Sequence, residues 1–260
     1  MSQAVLQVEG LSVALADDPG RKIIDGVSFS VPPLSIVALV GGSGSGKTTT
    51  GLSVLRLLSR ALKVNAGKTF FYGEDLLAAD PARMNAVRGK EIGMVFQDPL
   101  QAFNPVFTVG FQVSEVFKYH TTMGQNEIQQ KVLDLFIQVG LDDPIRVFKS
   151  YPHQLSGGMR QRAMIAQAVA AKPSLLIADE PTSSLDVTLQ ARILELFLQL
   201  RDQYRLSIIL ITHDLGVVAH MADHVVVMDQ GRVVESGPRQ DVIARPKHSY
   251  TQQLMRTLKD

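Results

Sequence analysis

The sequence predicts an α/β protein with a largely parallel sheet, an antiparallel β portion near its start and an inserted helical lobe, and three observations predict it. A buried-strand pattern at Ile36 to Val40 runs into a glycine-rich turn and then the helix-like stretch Thr48 to Leu58. Further short apolar runs mostly alternate with helical patterns, as a parallel sheet requires. From about Asn104 to Ala171 the helical patterns follow one another without a convincing strand.

The elements justify themselves in order. β-rich runs at Leu6 to Leu15 and Val27 to Val31 flank Asp17-Asp18-Pro19-Gly20, whose residue types favour a tight turn, so the chain opens as a hairpin or meander. After Ile36 to Val40, strand patterns recur at Thr69 to Tyr72, Ile92 to Phe96, Leu175 to Ala178, Ile208 to Ile211 and Val225 to Met228. Helical periodicity is clearest at Val109 to Tyr119 and Glu127 to Val139. The expected division is one domain: a core of 1–103 and 172–245 with the β subdomain at its start, a helical lobe at 104–171, and a closing segment at 246–260.

At 260 residues and 45% apolar, the chain can bury a substantial core without covalent staples. It has no cysteine, which excludes disulfides, thiolate metal sites and cysteine nucleophiles and suits a reducing compartment. A net charge of +1 with dispersed Lys and Arg offers no field for nucleic acid, so none is expected as a partner. Met1 to Glu9 lacks the basic start and apolar centre of an export signal. No apolar run approaches the roughly 18 residues of a spanning helix, so a membrane role would come through partners.

The most specific motif is Gly41-Gly42-Ser43-Gly44-Ser45-Gly46-Lys47-Thr48, between a predicted strand and helix. Glycines let backbone amides converge on phosphate oxygens, and the following helix adds the positive end of its dipole. Lys47 is expected to bridge the β- and γ-phosphates and Thr48, with Thr49 beside it, to ligate magnesium through its hydroxyl. The bland alternative is a glycine-rich connector, but every fixed position is matched in the right context.

The second motif is Leu175-Leu176-Ile177-Ala178-Asp179-Glu180-Pro181, an apolar strand ending in two carboxylates. Asp179 is the expected magnesium holder, through a water, and Glu180 the residue that orients and polarises the attacking water. Alone the pair reads as a solvated strand end; beside a phosphate loop it reads as catalytic. The third motif, Leu155-Ser156-Gly157-Gly158-Met159-Arg160-Gln161-Arg162, opens a helical run to Ala171. Ser156, Gly157 and Gly158 can offer a hydroxyl, close backbone approach and a dipole to an anion, or can be an ordinary helix cap.

Together, in this order, the motifs resemble the ATP-binding-cassette (ABC) transporter ATPases over almost the whole chain. Met159 departs from the glutamine usual in that signature. The resemblance implies ATP and Mg2+ as cofactors, a Q-loop glutamine at Gln97 reaching the magnesium and the attacking water, a D-loop at Ser183-Ser184-Leu185-Asp186, and a γ-phosphate-contacting switch histidine at His213. By itself Gln97 would be a surface residue, the D-loop a turn and His213 structural. The family's adenine-stacking aromatic has no counterpart in Leu11 to Leu15, where Leu15 offers only an apolar face, so no strict preference for ATP over GTP is assigned.

Phe96-Gln97-Asp98-Pro99, Phe103-Asn104-Pro105, Tyr151-Pro152-His153 and the closing Pro246-Lys247-His248-Ser249-Tyr250-Thr251 resemble the bacterial peptide/nickel importers. That likeness implies a second ATPase subunit, two membrane permeases, an extracytoplasmic binding protein and a peripheral place on the cytoplasmic face of the inner membrane. The methionine-ending signature resembles the first of the two ATPases. Without cysteine the chain resembles short members that lack an iron–sulfur extension, so the expected cargo is nickel or a metal chelate, with di- or oligopeptides as the alternative. A soluble ABC ATPase of translation or repair would bring a second cassette or a long coiled coil, and a kinase or GTPase would lack the signature, Q-loop and histidine together. Export shares the same cassette chemistry and is opposed only by the subfamily resemblance.

Overall fold

A computed structural model describes residues 3–183 and 185–256. The chain begins with β1 (Leu6–Leu15), β2 (Lys22–Val31), β3 (Ile36–Val40), α1 (Lys47–Val54), β4 (Leu62–Phe71), β5 (Glu74–Asp75) and α2 (Pro81–Val87). Next come β6 (Ile92–Val95), α3 (Pro99–Ala102), α4 (Val109–His120), α5 (Gln125–Gln138), α6 (Pro144–Lys149) and α7 (Gly157–Val169). It ends with β7 (Leu175–Asp179), α8 (Val187–Tyr204), β8 (Ser207–Thr212), α9 (Leu215–Met221), β9 (His224–Asp229), β10 (Arg232–Pro238), α10 (Arg239–Ala244) and α11 (Ser249–Arg256). Contacts divide it into two units, Met1–Met84 with Arg205–Asp260, and Asn85–Tyr204.

In the first unit, β1 pairs antiparallel with β2 and β4, and β4 with β5. The turn between β1 and β2 is closed by the Arg21 amide on the Asp18 carbonyl at 3.0 Å and the Gly20 amide on the Asp18 carboxylate at 3.1 Å. β3 is buried at all five positions, because it pairs in parallel with β8 on one side and β9 on the other. A parallel strand covered on both faces reads as an unbroken apolar run, which is what Ile36 to Val40 is. β10 returns antiparallel to β9. Ala38, Val40, Leu215, Val218, Val225, Val227, Val242 and Met255 form one buried cluster, so α9, α10 and α11 are seated on the strands that carry the loop after β3.

In the second unit β6 pairs with β7 in parallel, Ile92 opposite Leu175 through Val95 opposite Ala178. No strand lies between Val95 and Leu175 among the described residues. Thr108 and Asp143 cap α4 and α6 through their side chains, bonding the amides of Phe111 and Arg146.

Several boundaries depart from expectation. β2 starts at Lys22, not Val27, and β4 at Leu62, not Thr69. Both pair with β1 through register shifts, and such irregularities break the alternation that a sequence reading relies on. α1 stops at Val54, short of Leu58, where Arg56 takes a left-handed φ of 54° and the Leu57 amide bonds back to the Leu52 carbonyl at 2.9 Å. β10 was not expected at all, since half-exposed Val233, Val234 and Glu235 give no clean period.

Candidate functional site

The first unit carries the phosphate loop. β3 delivers the chain to Gly41 and α1 begins at Lys47, so residues 41 to 46 make the whole turn. Gly46 caps α1 in the left-handed region, φ 97° and ψ 3°, and a Cβ there would lie 2.4 Å from Ile24 Cγ2. Glycine alone satisfies both demands. The Lys47 ammonium, on a residue 5% exposed, donates to the carbonyls of Gly41 and Gly42 at 2.8 Å each and to Ser45 Oγ at 3.3 Å. A cation removed from water needs such acceptors. Phosphate oxygens are stronger ones, so this lysine can be drawn from the loop to a ligand.

Ser43, Gly44 and Thr48 are exposed and Thr49 is half-buried, which leaves that side of the loop open. A nucleotide's phosphates fit this donor set: an amide-rich turn, a helix start and a fixed ammonium. No group of three or more His, Asp or Glu side chains suited to hold a metal occurs among the described residues. A magnesium ion that takes most of its ligands from phosphate and water needs none. Leu15 is half-buried at the end of β1. His213 is exposed at the end of β8, held between two anchored neighbours. The Asp214 amide bonds Thr212 Oγ1 at 3.0 Å, and the Asp214 carboxylate caps α9 at the amides of Gly216 and Val217.

The second unit carries the carboxylates. Asp179 closes β7 and is 3% exposed. Glu180 follows with φ 43°, a left-handed conformation for a non-glycine residue. Its carbonyl accepts the Ser183 amide at 3.3 Å and the Ser183 hydroxyl at 3.1 Å, closing the turn. Gln97 Nε2 donates to Glu180 Oε2 at 3.1 Å. The strand register explains the meeting: Val95 stands opposite Ala178, and Gln97 and Glu180 each lie two residues farther on.

In the same unit Ser156 caps α7, its Oγ accepting the Met159 amide at 3.3 Å. Gly157 faces open space, and a Cβ on Gly158 would meet Leu189 Cδ2 at 2.4 Å, so the helix start is bare on one side and tightly packed on the other. Asp186 accepts the Leu189 amide at 2.9 Å at the start of α8. Ser184, in the expected D-loop, lies outside the described residues. Phe96, Leu100, Val106, Phe107 and Phe111 are exposed, with the rings of Phe107 and Phe111 stacked at 4.9 Å.

Two residues quoted within the sequence motifs were given no role of their own there. Gln161, 1% exposed, donates from Nε2 to the Pro181 carbonyl at 2.7 Å, tying α7 to the turn after Glu180. A signal existed, because Gly158, Gln161, Ile165 and Ala168 share one buried helical stripe. Tyr250 accepts the Gly42 amide at 2.8 Å, and 208 residues of separation leave no local sign of it.

The chain matches the protein-family profile described as ABC transporter over residues 24–183, and a profile described as an AAA domain over residues 148–219. It is 46% identical over 256 residues to the peptidoglycan transport ATP-binding protein YejF of Agrobacterium fabrum, covering 98% of this chain and 47% of that protein. It thus spans about half of that relative's length. It is 44% identical over 256 residues to the dipeptide transport ATP-binding protein DppD of Escherichia coli, covering 98% of this chain and 78% of that protein. Among solved structures, CbiO1 of Clostridium perfringens, described as part of the ABC transporter complex cbiONQ, superposes with a TM-score of 0.79 at 25% identity, covering 99% of this chain and 95% of that one. The ATP-binding cassette MJ0796, a dimer bound to ADP and Pi, has a TM-score of 0.79 over 90% of this chain and 98% of its own, and at 24% identity shares the fold alone.

Proposed function

The chain belongs to the ABC transporter family, as an ABC-type ATPase, and on that premise we propose that it binds and hydrolyses MgATP to drive import through separate membrane permease subunits. The phosphate loop carries this reading: a buried ammonium, Lys47, held on the carbonyls of Gly41 and Gly42 in a turn whose Ser43 and Gly44 are exposed.

In this reading Gly41 to Lys47 cradle the phosphates, and Thr48, Gln97 and Asp179 serve the magnesium ion. The ion, when bound, neutralises charge on the transferred phosphoryl group. Glu180 orients the attacking water, and Gln97, already bonded to its carboxylate, limits its rotation. His213 contacts the γ-phosphate. Ser156, Gly157 and Gly158 close over a nucleotide held by another ATPase subunit, which makes the working unit a dimer, as a heterodimer within the importer. Residues 104–171 act as the helical lobe of a single cassette domain. The exposed apolar side chains from Phe96 to Phe111 suit a docking partner at the membrane. Among the described residues no helix is long and apolar enough to span a bilayer, in keeping with a peripheral place on the cytoplasmic face beside permeases and an extracytoplasmic binding protein.

For cargo, relatives named as dipeptide and peptide import proteins support di- or oligopeptides ahead of nickel or a metal chelate. The deciding experiment is ATP-dependent uptake by vesicles carrying the full complex and supplied with binding protein. It compares labelled short peptides with radioactive nickel, with and without chelators. Saturable peptide uptake abolished by Lys47→Ala is expected, whereas nickel uptake with no peptide transport would restore the metal reading. Glu180→Gln should retain ATP binding and lose about 10²–10⁴ in turnover; full turnover in that variant would remove Glu180 from its role.

A further inference from the structure

The segment from Pro246 onward takes no part in the chemistry above, yet it reaches the phosphate loop. The Tyr250 hydroxyl, on α11, accepts the Gly42 amide at 2.8 Å. Its ring and Leu254 pack on the cluster that includes Val40, the residue just before the loop. The start of α11 is itself pinned to β10, where the Glu235 carboxylate accepts the amides of Lys247 at 3.0 Å and His248 at 2.9 Å. Gln252 Nε2 adds a bond to the Pro246 carbonyl at 3.1 Å, and His248 Nδ1 accepts the Tyr250 amide at 3.3 Å. The hydroxyl therefore arrives at Gly42 from a fixed support.

The Gly42 N–H and the Gly41 carbonyl belong to one planar peptide unit. Tyr250 holds its N–H end and Lys47 its carbonyl end. Glycine on both sides gives this plane little torsional resistance of its own. When phosphate draws Lys47 away, the carbonyl end is released, and the tyrosine bond is left to keep the plane from rotating its carbonyl toward the incoming anion.

Resting on the nucleotide reading of this loop, we propose that Tyr250 is a positioning residue of the phosphate site, which makes α11 part of the nucleotide-binding machinery. The substitution that tests it is Tyr250→Phe in the full chain, because phenylalanine keeps the ring in its apolar seat and removes only the acceptor. MgATP affinity should fall about three- to tenfold. In the assembled transporter KM for ATP should rise by the same factor with kcat nearly kept. Amide exchange at Gly42 should accelerate in the nucleotide-free chain, and its unfolding temperature should change little. A purely structural role predicts the reverse pattern, a lower unfolding temperature with unchanged affinity and KM, and that result overturns the proposal. So does unchanged Gly42 exchange together with affinity within twofold of wild type. Wild-type chain that binds no MgATP, or binds it equally well as Lys47→Ala, would instead sink the nucleotide reading itself.

Discussion

Replacing Gly46 with alanine separates two costs that the phosphate loop imposes on its own sequence. An L-residue in the left-handed conformation found there, φ 97°, costs about 1–2 kcal/mol. The added methyl would stand 2.4 Å from Cγ2 of Ile24, a residue with no exposed surface, and forcing such a contact apart in a packed core costs about 1–3 kcal/mol. The nucleotide-free variant should therefore lose about 2–5 kcal/mol in urea unfolding followed by circular dichroism. A double-mutant cycle divides the sum. Ile24→Ala alone should cost about 2–5 kcal/mol through its cavity, but with Cγ2 gone the clash disappears and only the backbone strain remains. The double variant should then be about 1–3 kcal/mol more stable than the two single losses added together. Strict additivity, or a loss below about 1 kcal/mol for Gly46→Ala alone, would refute the reasoning.

Two further outcomes follow from bonds described above. Gln161→Ala leaves the buried Pro181 carbonyl without its 2.7 Å donor and should cost about 1–3 kcal/mol in thermal or denaturant unfolding; an unchanged midpoint would show that the bond contributes nothing. At Glu235, burial pushes the carboxyl pKa up, but the amides of His248 and Lys247, the Thr251 hydroxyl and the charge of His248 together outweigh it and hold the group below its ordinary 4.5. A depressed folded pKa means its stabilisation is present above that value and lost as pH falls through the lower, folded one. Unfolding temperatures of wild type and Glu235→Gln should thus differ near neutrality and converge in acid, and a constant gap would contradict the assignment.

Much of the candidate site was legible because the chemistry proposed for it depends on residue type at fixed spacing. Glycines before Lys47 and two carboxylates after an apolar strand can be recognised without coordinates. The strands buried on both faces, β3 and β7, were legible for a related reason, since burial leaves an unbroken apolar run. β4 and β10 were hidden or shortened because their residues are largely exposed or half-exposed, so hydrophobic pattern carries little information there. The bonds from Gln161 to Pro181 and from Tyr250 to Gly42 depend on tertiary placement. Only the first leaves a trace, an amide on an otherwise apolar helical stripe.

With the role proposed for it, the conformation of Glu180 sets fold and chemistry against each other. At φ 43° the polypeptide would be better served by glycine or asparagine, and holding a longer L-residue there costs on the order of 1 kcal/mol. Directed evolution for heat resistance alone would therefore be drawn to glycine at this position and, on the proposed role of Glu180, would return sturdier proteins that no longer turn over. Thermal tolerance and turnover can be selected in opposite directions at a single residue, so any campaign to harden this protein has to score both.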